Sequence, residues 1–106
     1  MRAAADQETL ILDCVTLWIS NLMADNDDET IGNLVEEAVD ACRRHPGQVI
    51  VVSNEVGAGL VPMDPVGRRF RDLQGWANQR FADAADVSYL VVAGKTLRLG
   101  DIDDAD

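Results

Sequence analysis

Residues 49–55 read Val-Ile-Val-Val-Ser-Asn-Glu. Four consecutive β-branched apolar residues, followed at once by small polar and acidic ones, suit a short strand buried on both faces whose carboxyl end meets solvent. A half-buried strand would alternate, and a helix would need a longer, differently spaced pattern. Two further runs share this character: residues 9–12 (TLIL), ending at Asp13, and residues 87–93 (VSYLVVA), ending at Gly94. Between the runs the apolar period becomes helical. Ile31, Leu34, Val35, Ala38 and Cys42 fall on one face, Asn26-Asp27-Asp28-Glu29 precedes them in the form of a capping box, and His45-Pro46-Gly47 stops them. Asp64-Pro65 suits the N-cap and first position of another helix, with Val66, Phe70, Leu73, Ala77 and Phe81 as its stripe. Gly75 inside that stripe costs about 1 kcal/mol relative to alanine, so it marks close packing or a nearby ligand. Residues 15–23 (VTLWISNLM) predict a shorter, largely buried helix.

The order strand, helix, helix, strand, helix, strand predicts an α/β fold: a mostly parallel sheet flanked by helices, with right-handed crossovers. Ligands in such folds bind outside the carboxyl ends of the strands, here Asp13, then Ser53-Asn54-Glu55, then Gly94. Three buried-type strands make a poor complete sheet, and the expectation is that further strands come from upstream or from a partner. Gly94-Lys95-Thr96 looks like the end of a phosphate-binding P-loop. However, Tyr89 stands where such a loop needs its first glycine, and Leu97-Arg98-Leu99-Gly100 follows instead of a helix, so a C-terminal hairpin is predicted. One domain over residues 1–100 is expected, with residues 101–106 an acidic, frayed tail.

The 106 residues carry a net charge of −10, which disfavours binding to nucleic-acid backbones. Eight of the nine basic residues are arginine, and Lys95 is the sole lysine. This balance fits either a salty cytoplasm or acidity kept for solubility. Cys14 and Cys42 lack metal-ligand spacing and read as free thiols of a reducing compartment. No apolar run reaches the length of a membrane span, and residues 1–8 lack the apolar stretch of a signal peptide. The expected location is the cytoplasm.

Four groups can carry chemistry. Asp13, directly after an apolar strand, has the Walker B pattern, in which a carboxylate holds Mg²⁺ or its bound water beside nucleotide phosphates. The same aspartate would also cap a helix starting at Val15, and spacing alone favours the cap. Asn54 and Glu55 can meet polar ligand groups, with Gly57 and Gly59 allowing close backbone approach; a structural loop would read the same way. Arg68, Arg69 and Arg71 can grip phosphate, or form a solvated face with pairs such as Arg68–Asp72. His45, the only histidine, sits where a helix C-terminus favours a cation, and Trp18 and Trp76 read as core or interface aromatics.

Three stretches taken in order are more specific. They are Ile11-Leu12-Asp13-Cys14-Val15-Thr16-Leu17-Trp18 with Asn21-Leu22; Val51-Val52-Ser53-Asn54-Glu55-Val56-Gly57 with Gly59 and Val61-Pro62; and Arg68-Arg69-Phe70-Arg71-Asp72 with Gly75, Asn78-Gln79 and Ala84-Ala85, running on into Tyr89-Leu90-Val91-Val92-Ala93-Gly94. This set resembles the bifunctional adenosylcobinamide kinase/adenosylcobinamide-phosphate guanylyltransferase family. The resemblance implies a P-loop NTPase (RecA-like) fold, only part of which is in this chain, usually assembled as a homotrimer. It implies phosphorylation of adenosylcobinamide, a corrinoid, by GTP or ATP. GMP then passes through a histidine to the phosphorylated substrate, giving adenosylcobinamide-GDP. It reverses the reading of Asp13, which matches the Walker B acid and so implies Mg²⁺. It places Asn54, Glu55, Gly57 and Gly59 of the loop, and Arg69, Arg71, Asp72, Asn78 and Gln79 of the third helix, near the nucleotide, the corrinoid or a subunit interface. The P-loop and the GMP-accepting histidine belong before the Walker B strand, where this sequence has neither; His45 comes after it. The expectation is the later part of such an enzyme, inactive alone and without a catalytic residue of its own. Two rivals are a non-catalytic oligomerisation or interaction module derived from the family, and an unrelated small nucleotide-binding protein that would hold GTP in isolation.

Overall fold

The computed structural model describes residues 8–54 and 64–100. In chain order these form β1 (Leu10–Asp13), α1 (Val15–Met23), α2 (Asp28–Arg44), β2 (Val49–Val52), α3 (Pro65–Ala84), β3 (Ser88–Val92) and β4 (Lys95–Leu99).

Each helix begins at a side-chain acceptor, which satisfies amides that have no partner within the helix. Asp64 accepts from the Gly67 amide at 2.6 Å, with Pro65 at the first helical position of α3. In α2 the cap is Asp27, one residue later than the capping-box reading placed it: its Oδ1 accepts from the Thr30 amide at 2.8 Å. That contact holds the Asp27 carboxyl below the usual carboxylate range. Asn26 turns back instead, its amide donating to the Leu22 carbonyl at 2.9 Å and joining α1 to α2. Asp28 and Glu29 in the first turn of α2, and Arg43 and Arg44 in the last, complement the helix dipole. His45 ends α2 as its C-cap, with Nε2 2.6 Å from the Glu8 carbonyl oxygen.

Strands β1 and β2 pair in parallel, from Leu10 opposite Val49 to Asp13 opposite Val52. Their inner face, Leu12 and Val51, meets the three helices. The core comprises Leu12, Val15, Ile19, Ile31, Val35, Val39, Ala77 and Phe81, with Trp18, Phe70, Leu73 and Trp76 packed against it. Val66 stands out of the α3 stripe at 70% exposure. The strands were expected to be covered on both faces. Among the described residues only one face is covered, and Ile11, Ile50 and Val52 on the other are exposed.

Helices α2 and α3 are tied by two ion pairs. Arg80 binds both carboxylate oxygens of Glu36, at 2.6 and 3.1 Å. Arg69 donates to Asp28 at 2.6 Å and to the Asn26 carbonyl at 2.8 Å. A Cβ on Gly75 would meet nothing within 4 Å, so close packing within the described residues does not explain this glycine.

The third strand does not join the parallel pair. β3 pairs with β4 in an antiparallel hairpin, from Ser88 opposite Leu99 to Val92 opposite Lys95. The turn is Ala93-Gly94, with φ of 51° and 76°. Positive φ at both central residues gives a two-residue turn whose twist matches the strands, and closing so short a loop costs less entropy than pairing across a long crossover. The predicted hairpin is therefore present, and among the described residues the parallel pairing expected of the buried-type strands is confined to β1 and β2. No described helix is long and apolar enough to cross a membrane.

Candidate functional site

Because β1 and β2 run in parallel and in register, their carboxyl ends finish side by side. Asp13 occupies the tip of β1. It is exposed, and its carboxylate has no hydrogen-bond or ion-pair partner among the described residues. Helix α1 follows at once, capped by Cys14 Sγ, which accepts from the Leu17 amide at 3.4 Å. The cap that the sequence could have assigned to Asp13 thus belongs to Cys14. Two residues beyond β2 lies Asn54, also exposed.

Between these tips the structure builds a polar cluster from three elements. Thr16 of α1 accepts the Asn54 amide proton on Oγ1 at 3.0 Å. Asn78 of α3 donates through Nδ2 to the Asn54 carbonyl at 3.3 Å, and its Oδ1 accepts from the Ser53 hydroxyl at 2.5 Å. Gln74, one turn earlier on α3, is fully buried. Its Nε2 lies 2.7 Å from both Thr16 Oγ1 and Ser53 Oγ, and 3.3 Å from the Asn54 carbonyl. Its Oε1 is buried without a partner among the described residues. Both backbone polar groups of Asn54 are therefore held by side chains, where the sheet ladder no longer serves them.

The other predicted site residues are placed differently. Arg69 is bound to α2 through Asp28 and Asn26. Arg71 lies against its neighbour Asp72, with Nε 3.2 Å from Oδ1. Gly94 sits in the hairpin turn rather than beside Asp13 and Asn54. Glu55, Gly57 and Gly59 lie outside the described residues. A shallow depression of about 450 Å³ between the end of α3 and the hairpin is lined by Asp83, Asp86, Ser88 and Arg98 among others, and takes no residue from the strand tips. Cys42 is partly buried, which pushes its thiol pKa up and leaves it a poor nucleophile.

The cluster offers amide and hydroxyl groups fixed at the tip of β2, while the Asp13 carboxylate, at the adjacent tip of β1, follows the exposed outer-face positions Ile11 and Val52 and has no partner among the described residues. Among the described residues no three His, Cys, Asp or Glu side chains converge as a metal cage. Mg²⁺ is commonly held by one or two carboxylates together with water and substrate phosphates, so a single carboxylate such as Asp13 could serve as one of its ligands.

Sequence comparison bears on the same segments. The family described as cobinamide kinase / cobinamide phosphate guanyltransferase matches residues 1–99. The bifunctional adenosylcobalamin biosynthesis protein CobU of Salmonella typhimurium is 38% identical over an alignment taking in 85% of this chain and 57% of that protein. Its namesake in Escherichia coli is 39% identical over 82% of this chain and 55% of the relative. The bifunctional adenosylcobalamin biosynthesis protein CobP of Pseudomonas aeruginosa is 36% identical, over 85% and 52%. The chain spans little more than half the length of these relatives.

Proposed function

The chain belongs to the cobinamide kinase / cobinamide phosphate guanyltransferase family, and on that footing we propose that it forms part of an enzyme of cobalamin assembly. The enzyme phosphorylates adenosylcobinamide with a nucleoside triphosphate, then transfers GMP from GTP to the product, yielding adenosylcobinamide-GDP. The observation that carries this reading is the carboxylate of Asp13, without a partner among the described residues, at a strand tip flush with the Asn54 segment of the neighbouring parallel strand. An open α/β sheet receives phosphorylated ligands at this place.

In this reading Asp13 holds Mg²⁺ or one of its waters, and the cation supplies charge neutralisation at the phosphates. Asn54 presents its carboxamide to the nucleotide, and Glu55 and Gly57 continue the same polar edge. Arg69 and Arg71 keep their place on the resemblance alone, since each must exchange Asp28 or Asp72 for phosphate to reach a ligand. His45 receives no GMP: it caps α2 beside the Glu8 carbonyl, and it follows β1 rather than preceding it. Residues 1–100 are read as the later part of one P-loop-type domain working in the cytoplasm as a homotrimer. The exposed outer face of β1 and β2, with Ile11, Ile50 and Val52, supports a further layer of that domain packed over it.

A fluorescent GTP analogue titrated into the full-length protein tests this directly. Binding is expected to require Mg²⁺, and Asp13→Asn is expected to weaken it at least about tenfold while leaving the melting temperature near that of the wild type. Nucleotide binding that ignores both Mg²⁺ and this substitution defeats the assignment. The exposed hairpin favours a second reading, a non-catalytic assembly module, which predicts a stable oligomer without turnover of adenosylcobinamide and GTP.

A further inference from the structure

The cluster around Asn54 is more elaborate than the end of a strand requires. Past Val52 the sheet makes no demand on the chain, yet Ser53 and Asn54 are gripped by three side chains from two helices. Gln74 makes the point most sharply. An apolar residue would fill a fully buried position on α3 and favour stability, whereas Gln74 leaves its Oε1 orphaned among the described residues. Local costs of this kind persist where a site needs them. Asn78 uses both ends of its carboxamide, one on the Ser53 hydroxyl and one on the Asn54 carbonyl.

We propose that Asn78, backed by Gln74, is a positioning residue: it fixes the Asn54 backbone between α1 and α3, and so the direction in which the Asn54 carboxamide faces the nucleotide. The proposal rests on the nucleotide reading above. Asn78 touches no ligand in this scheme. It acts through Asn54, as Thr16 does from the opposite side by accepting the Asn54 amide proton. Displacement of a reacting group's neighbour by about 1 Å can cost a hundredfold in rate, so loss of the clamp should be felt in turnover far more than in folding.

The full-length protein carrying Asn78→Ala loses both contacts. Asn78→Asp keeps the acceptor for Ser53, but it loses the donor and faces the Asn54 carbonyl with a carboxylate. Both variants are expected to fold, with kcat/KM lowered about tenfold to a hundredfold and most of the loss in kcat. Combining Asn78→Ala with Asn54→Ala should cost little more than Asn54→Ala alone, since the two act as one unit. In NMR, the Asn54 amide of Asn78→Ala should exchange with solvent at least about tenfold faster, because its segment is no longer held. Wild-type turnover in Asn78→Ala, or a double variant whose losses simply multiply, overturns the proposal. If the wild-type protein turns over no nucleotide, the proposed function fails first. The clamp is then judged by Asn54 exchange alone: faster exchange in the variant retains it, and unchanged exchange removes it.

Discussion

Ala93 holds φ at 51° beside Gly94 at 76°, so a residue with a Cβ occupies the left-handed region in the first half of a two-residue turn. That conformation costs an L-residue about 1–2 kcal/mol, while asparagine tolerates it better by bonding locally to the backbone. Asn-Gly is the favoured pair for such turns. Ala93→Asn is therefore expected to stabilise the β3–β4 hairpin by about 0.5–1 kcal/mol. Hydrogen exchange is the suitable measurement, because the hairpin lends no residue to the helical core and its opening is a local event. Slower exchange at Leu90 and Val92, whose amides face β4 in the ladder, with a nearly unchanged global melt is the expected pattern. Exchange no slower than in wild type would mean that the turn is not the strained point.

Helices α2 and α3 are joined by Arg80 on Glu36, whose hydrogen bond holds the Glu36 carboxyl below its ordinary range and raises the Arg80 pKa. The sign of the pH dependence follows. A carboxyl with a depressed folded-state pKa adds stability above the ordinary glutamate value and loses it as pH falls through the lower, folded value. Both groups are partly exposed to solvent, which screens the pair, so the effect is modest. Glu36→Gln is expected to melt slightly below wild type at pH 7, with the gap closing by about pH 3. A gap constant down to that pH would show that packing, not charge, links the helices.

These helices were legible in the sequence because caps and apolar periods are local. Asp64-Pro65, His45 and the 15–23 segment mark their elements where the structure has them. Partner choice across long separations was not legible: β3 forms the predicted hairpin with β4, but its residues, which suit a parallel strand, do not say that it stays out of the β1–β2 pair. Nor was the polar cluster. Gln74 lies inside an apolar stripe where a glutamine reads as surface, and Thr16 owes its role to Asn54, 38 positions away. Asp13 and Asn54 were visible because a strand tip announces itself by an abrupt change from apolar to polar. The third strand end, Gly94, does not lie with them because its strand belongs to the hairpin.

Taken whole, the molecule sets a large like charge against uncovered apolar surface. The net charge is −10. The outer face of β1 and β2 exposes Ile11, Ile50 and Val52, and one face of the hairpin exposes Leu90, Val92, Leu97 and Leu99. Apolar faces of this kind, beside strand edges that pair with nothing described, drive association. Charge repulsion opposes it, with a reach of about 10 Å at 0.1 M salt and about 3 Å at 1 M. The 106-residue chain is therefore expected to sediment mainly as a monomer in dilute buffer and to associate as salt rises. Leu97→Lys should suppress that association without disturbing the helical core, since Leu97 is 61% exposed and lies outside the core cluster. A wild-type chain that stays monomeric at 1 M salt would show that these faces are not sticky. A Leu97→Lys chain that associates as readily as wild type would acquit the hairpin and leave the outer face of β1 and β2, where Ile50→Lys makes the corresponding test.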